Sequence, residues 1–375
     1  MNSITPSQVK PPSLRVATLD DYERMARLEE ENGMTIMPRG DWRAMWLDNP
    51  LWPRLGDRWP IGWLLEDATG ELVGTLVNIP TLYLLGGREL ICATGRSWAV
   101  NPQYRGFALW LISEYFDQPD VDLFVNTTVA DVAEPMHAAL SNRIPLGDFQ
   151  TVAYWVTSYQ GFAKKVLQKL RVPGAGLLAL PAAMTLSIKD YFTARNLPAG
   201  PTSISVESID DFDERFDAFW KELARENSNV LLGARDQQTL AWHFASPKKA
   251  NRLWIVTACR GNSLRAYGIF KRQEREGGVR RMQLVDFQTL QPNDDLLAPI
   301  LRHALLRCRR EGLFALEQLG CDLPQRRTFD RFAPYRRKLP NWPFFYKATD
   351  ATIEAELELP ERWAPSTFDG DASFD

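Results

Sequence analysis

VNPQYRGFALWLISEYF, residues 100–116, joins a strand-like run to a helix-like run through Pro102, Gln103, Gly106 and Ala108. Pro102 stops the strand, because a residue without an N–H cannot continue a ladder. A helix beginning near Ala108 leaves its first N–H groups without intrahelical partners, and its dipole adds partial positive charge at the same end. Gly106 lets the backbone come close to a bound group, Ala108 keeps the next position small, and Gln103 and Arg105 offer donors beside it. Such a crossover is an anion site of the size of a phosphate. Glycine at a helix start is common, so the meaning of the stretch rests on what surrounds it.

Upstream, LRVAT (14–18) reads as a short strand, and TLDDYERMARLEEEN (18–32) as a helix with Tyr22, Met25, Ala26 and Leu28 at helical spacing. DWRAMWLDNP (41–50) places Trp42, Met45 and Trp46 on one helical face before Pro50 ends it. IGWLLED, ELVGTLVNIPTLYLL and RELICATGRSWAV, between residues 61 and 100, are three strands joined by short glycine turns, an antiparallel meander. Downstream come the strand VDLFVN (121–126), the helix DVAEPMHAAL (131–140) and the strand FQTVAYWVTSY (149–159). Residues 159–200 hold a basic helix and the apolar run GAGLLALPAAMTLSI (174–188), too short to span a bilayer and read as a linker helix packed between domains, with an interfacial helix as the alternative. From residue 201 the same order of elements recurs, with a hairpin through Gly261 and a helix LLAPILRHALLRCRREG (296–312), which implies two copies of one fold.

At 375 residues with 45% hydrophobic side chains, the chain has enough apolar material for two domains. A formal charge of −3 gives no global pull toward DNA. The cysteines Cys92, Cys259, Cys308 and Cys321 and the three histidines lack metal-ligand spacing, so a reduced, cytoplasmic setting with no metal is expected. The N-terminus lacks a signal-peptide core, and no transmembrane segment is expected. The acidic, Ser- and Gly-containing stretch 351–375 has the composition of a disordered tail.

Strand, V-x-P, Q-x-x-G-x-A and helix, after a three-strand meander, resemble the coenzyme A motif of the GNAT superfamily of acyl-CoA N-acyltransferases. The resemblance in element order covers residues 14–158, and the sharp motif only 100–108. It implies an α/β (α+β) fold with two GNAT-like domains, each a mixed, mostly antiparallel twisted sheet flanked by helices. The expected layout is an arm at 1–13, an N-terminal GNAT domain at 14–158, a connector at 159–200, a C-terminal degenerate copy at 201–350 and the tail at 351–375. The resemblance implies that Gln103, Tyr104, Arg105, Gly106, Phe107 and Ala108 cradle the pyrophosphate of acetyl-CoA or another acyl-CoA. It further implies that Trp98, Ala99, Val100 and Asn126 face the pantetheine arm. Aligning Pro292 with Pro102 sets Asp294 and Asp295 in the second copy against Tyr104 and Arg105. Like charges about 4 Å apart repel by about 4 kcal/mol at an effective dielectric near 20, so the second copy is not expected to bind the donor.

Many relatives in that superfamily take a base from a Glu on the strand before the loop, and ICATGRSWAV has none. In the pattern A-x-x-L-Y, which often supplies a Tyr acid, Ala133 and Met136 match and His137 stands in the Tyr position. An imidazole can serve as acid or base near neutrality. Ser97, Thr94 and Arg96 are placed to orient a water or the acceptor. Trp42, Trp46, Trp52, Trp59 and Trp63 are either core or the floor of an acceptor entrance. The implied reaction is acyl transfer to an amine of a small molecule or sugar, with a homodimer as the candidate assembly. A carrier-protein or tRNA-bound donor docked on the ten basic residues between 300 and 340, or a non-catalytic scaffold, are the other readings.

Overall fold

A computed structural model of the chain describes residues 9–147, 149–193, 197–275, 278–290, 296–320, 323–339 and 343–374. Its strands are β1 (Ser13–Val16), β2 (Gly62–Glu66), β3 (Leu72–Leu85), β4 (Arg88–Val100), β5 (Leu123–Asn126), β6 (Asn142–Arg143), β7 (Thr151–Val156) and β8 (Ser205–Ile209). They continue as β9 (Leu232–Gly233), β10 (Leu253–Arg260), β11 (Ser263–Arg275), β12 (Val279–Thr289), β13 (Ala315–Leu319), β14 (Tyr335–Lys338) and β15 (Phe345–Ala348).

These strands make two mixed, mostly antiparallel sheets with helices packed on them, the two-copy α/β architecture expected. The first sheet runs β1-β2-β3-β4-β5-β15-β6, with β9 attached to β3, and the second runs β14-β7-β13-β12-β11-β10-β8. The parallel pairs are β4 with β5 and β12 with β13, so each sheet carries its crossover helix at the same place, Ala108–Phe116 in the first and Leu297–Arg310 in the second. β2 and the first nine residues of β3 are buried almost throughout, as a strand covered on both faces must be. One face packs on helices Tyr22–Glu31, Arg39–Leu47 and Ala108–Phe116 through Met25, Trp46, Leu111 and Phe124.

Three expectations are overturned. The strand around 149–158 does not close the first sheet, because β7 pairs with β13 and β14 in the second, while β15, from beyond residue 340, fills the place beside β5. Range 14–158 is thus not a self-contained unit. TVAYWV and FFYKA alternate alike, and alternation specifies a strand without naming its partner. The tail is also ordered. Ala351–Leu357 is helical, and Ser366, Thr367, Phe368, Asp369, Asp371, Ser373 and Phe374 are buried. Its acids and hydroxyls, read from composition as solvated, are paired: Asp369 accepts from Tyr83 at 3.1 Å and Ser366 Oγ donates to Asp286 at 2.9 Å. Buried polar groups with partners are tolerated where isolated ones are not.

The connector forms two helices, Tyr159–Lys169 and Ala175–Thr193, and much of the second is exposed instead of packed between domains. The four tryptophans Trp42, Trp46, Trp59 and Trp63 are core, with Trp46 and Trp59 both donating to the Asn78 carbonyl. The aligned positions Pro292–Asp295 of the second copy lie outside the described residues.

Candidate functional site

β4 and β5 pair only at Cys92–Leu123, Ala93–Phe124 and Thr94–Val125. β4 then runs on to Val100 while β5 stops at Asn126, so the two strands part in a wedge. The parting is prepared on the other side of β4. Thr75 faces Ala99 but Val77 faces Arg96, so one extra residue is bulged opposite Leu76, and Ser97 there has a φ of 51°. Bulges bend a strand away from its neighbour and end regular pairing. A left-handed conformation at a residue other than glycine is strained, and is held here by the surrounding sheet.

Asn126 braces the apex of the wedge. Its Oδ1 accepts from the Gly95 N–H at 3.2 Å and lies 3.2 Å from the Tyr115 hydroxyl, which donates to the Ala93 carbonyl at 2.8 Å. Gly95 is required for this approach, since a Cβ there would stand 2.5 Å from Asn126 Oδ1. Burial raises the Tyr115 phenol well above its ordinary range, so it stays protonated. The other end of the Asn126 amide, Nδ2, is buried with no partner, as are Trp98 Nε1 and His137 Nδ1. The last two side chains meet, with ring centroids 5.5 Å apart edge to face, and His137 also stacks on Phe345 of β15 at 5.6 Å. Trp98, not Ser97, is the β4 side chain against His137. Burial pulls the His137 imidazole down to about 4, so the ring is neutral at pH 7.

Beyond Val100 the chain makes a 3-10 turn, Pro102–Phe107, and enters helix Ala108–Phe116. Gln103, Arg105 and Gly106 are exposed, Tyr104 and Phe107 half-buried and Ala108 buried. A Cβ built on Gly106 meets nothing within 4 Å, so the space over the turn is open. Trp98, Ala99 and Val100 lead from the wedge braced by Asn126 directly into this turn.

Two contributors were missed. Tyr115 lies in the opening stretch and shares a helical face with Ala108 and Leu111, a spacing that marked it as inward-facing. Asp371 had no local signal. It comes from the C-terminal tail to accept from Thr127 at 3.1 Å and Thr128 at 2.5 Å, with Arg96 at 3.9 Å. Gly370, at φ 67°, permits this, for a Cβ there would collide with Thr127. Among the described residues no three His, Cys, Asp or Glu side chains group so as to hold a metal ion.

A cavity of about 200 Å³ lies between the halves, lined by residues including Thr81, Tyr83, Asp236, Trp242, Phe368 and Gly370. It adjoins the wedge through Thr81, whose hydroxyl is 3.3 Å from that of Thr94 on β4. A larger cleft, about 970 Å³, opens at the opposite, negative end of helix Ala108–Phe116, beside Glu114, Asp117 and Asp120. That end repels anions. Several cations of the 300–340 patch are already engaged: Arg307 with Glu311, Arg337 with Glu317 and Arg336 with Asp330.

No protein-family model and no curated protein matches the chain. Solved structures do. A GCN5-related N-acetyltransferase from Anabaena variabilis matches with a TM-score of 0.55 and 11% identity, over 90% of this chain and 73% of that one. N-myristoyltransferase from Saccharomyces cerevisiae, with bound myristoyl-CoA, matches with a TM-score of 0.53 and 12% identity, over 92% and 82%. A second structure of that yeast protein with myristoyl-CoA matches at 0.53 and 13% identity, over 92% and 86%. At such identities the likeness is one of fold, and it spans both halves. The chain has the GNAT fold.

Proposed function

We propose that the chain is an acyl-CoA-dependent N-acyltransferase that moves an acetyl or other acyl group onto an amine of a small molecule or sugar. The observation that carries this reading is the open wedge with two buried, unpartnered donors inside it, Asn126 Nδ2 and Trp98 Nε1. A buried donor left unmade costs about 1–3 kcal/mol, so two at one opening fit a ligand that brings carbonyl oxygens. An acyl-CoA fits these residues. The turn Gln103–Ala108 would hold its pyrophosphate, and β4 from Trp98 to Val100 would meet its amide-bearing arm; bound there, it supplies an activated thioester carbonyl.

The chain's own part is positioning and proton handling. Asn126 Nδ2 donates to an incoming carbonyl oxygen while its Oδ1 stays fixed by Gly95 and Tyr115. An acceptor amine must be neutral to attack. As its C–N bond to the acyl carbon forms, the thioester C–S bond would break and the thiolate would leave, and a water oriented by Ser97, half-buried on the bulge, would carry the amine proton to that thiolate. With His137 held at about 4, only about one ring in a thousand is protonated at pH 7, which suits a hydrogen-bonding role better than that of a proton reservoir. The cavity of about 200 Å³ supports a small acceptor over a polymer, and its Phe368 and Gly370 give the C-terminal half a share in it.

Calorimetry with acetyl-CoA and longer acyl-CoAs tests the donor. Gly106 has an ordinary φ and open space for a side chain, so Gly106→Glu keeps the fold while placing a carboxylate in the cradle. Repulsion of about 4 kcal/mol is available there, and we expect affinity to fall at least about 100-fold. If the wild type binds none of these donors, or the variant binds them equally well, the reading fails.

A further inference from the structure

The connector carries an apolar stripe that the chain leaves bare. Helix Ala175–Thr193 presents Leu177, Leu180, Met184 and Ile188 at steps of three, four and four residues, which places them along one face. They are 86, 52, 57 and 59% exposed, whereas Ala179 and Ala183 on the opposite face are buried. Leu170, at the end of the preceding helix, adds a further exposed apolar side chain. Scattered surface leucines are ordinary, but a continuous bare stripe marks a contact surface.

Charge identifies the contact. Over the two helices, Tyr159 to Thr193, the sequence has Lys164, Lys165, Lys169, Arg171 and Lys189 against the single acid Asp190, within a chain whose formal charge is −3. Lys164 and Arg171 are exposed. We propose that this helical pair docks the protein on an anionic lipid bilayer surface, with the stripe seated among the headgroups and the cations against their phosphates and carboxylates. Apolar area and basic residues together give such a helix its affinity. It lies on the surface and does not cross it, since no helix among the described residues is long and apolar enough to span. Seating the same helix pair of a second copy here would bring a net charge of +4, five cations less Asp190, against +4, so charge favours the anionic surface over self-pairing. The inference stands independently of the donor assignment.

Flotation of the full chain with vesicles of phosphatidylcholine alone, or mixed with phosphatidylserine, tests it. We expect the protein to float with the mixed vesicles and at least about tenfold less with the neutral ones, and high salt to weaken the binding severalfold. The combined variant Leu177→Glu, Leu180→Glu, Ile188→Glu is expected to lose binding by about tenfold or more. A second variant, Lys164→Glu with Arg171→Glu, should lose it in the same direction without touching the stripe. Both alter exposed side chains, so the unfolding midpoint is expected to stay in place. Failure of the wild type to float with mixed vesicles overturns the proposal, as does undiminished flotation of the stripe variant. A lipid-free dimer that the stripe variant converts to monomer overturns it too, for the stripe would then cover itself.

Discussion

In the first sheet β4 leaves β5 beyond Thr94, and in the second β12 leaves β13 beyond Leu284, each next to a bulge, at Ser97–Trp98 and at Val285. The backbones thus open the same gap twice. The second gap is closed by the chain itself. Arg235 donates to Asp286 at 2.9 and 3.2 Å with both side chains almost fully buried, Tyr267 lies 3.2 Å from the same carboxylate, and Thr367 of the tail donates to the Val285 carbonyl at 3.0 Å. Gln318, at the position matching Val125, donates to the Gly320 carbonyl at 2.6 Å. In the first gap Asn126 Nδ2 and Trp98 Nε1 are left unmet. The difference teaches that in this fold the strand geometry makes room, and the side chains decide whether a ligand or the protein occupies it.

The comparison can be broken in several ways. The largest effect is expected from Arg235→Ala, which strands Asp286 and Asp369 without their cation; removing one partner of a buried ion pair costs about 3–5 kcal/mol. Urea unfolding reads this directly, and a loss below about 1 kcal/mol would mean that the closed gap owes little to that pair. Next is the acid side of the stability profile. The folded His137 takes a proton only near about 4 against 6.5 for the free group, so its share of stability is complete above pH 6.5 and is lost as pH falls toward 4. At pH 5 that loss is about 2 kcal/mol, and His243, also driven low by burial, adds to it in the same direction. Between pH 7 and pH 5 the wild type should therefore lose about 2 kcal/mol more stability than His137→Phe, and parallel curves would show the ring to be less enclosed than it is here. The smallest stability effect, about 1 kcal/mol, belongs to Asn126→Ala, which frees the Gly95 N–H but also removes the unpartnered Nδ2. Its sharper signature is a drop of about tenfold in donor affinity by calorimetry, whereas Gln318→Ala in the closed gap should leave donor affinity unchanged. Equal effects of the two substitutions would erase the distinction between the gaps.

What could be read from residue order alone was whatever has a local cause. Pro102 and Ala108 mark a strand end and a helix start by their own backbone chemistry, and the hairpin through Gly261 and the meander from Gly62 to Val100 carry their turns with them. The rest depends on partners far away along the chain. Nothing near Thr151 says that Leu319 will pair with its neighbour Val152, and nothing near Asp369 and Asp371 announces that Tyr83 and Thr127 will hydrogen-bond them. The four carboxylates and hydroxyls from Ser366 to Asp371 have the composition of a loose end and the partners of a core. Likewise the motif sets His137 in the position of a Tyr acid, but its titration is governed by burial among Trp98, Phe116 and Phe345, which only the folded chain assembles around it.

The trade of β7 for β15 bears on how the protein is made. A ribosome that has finished the first hundred and sixty residues has delivered β4, β5 and the turn between them, yet the strand that flanks β5 ends at Ala348 of 375. The nascent N-terminal half must therefore wait with an open sheet edge while nearly two hundred more residues are translated. Cutting the gene at the connector should yield two fragments that fold poorly apart and recover only when mixed.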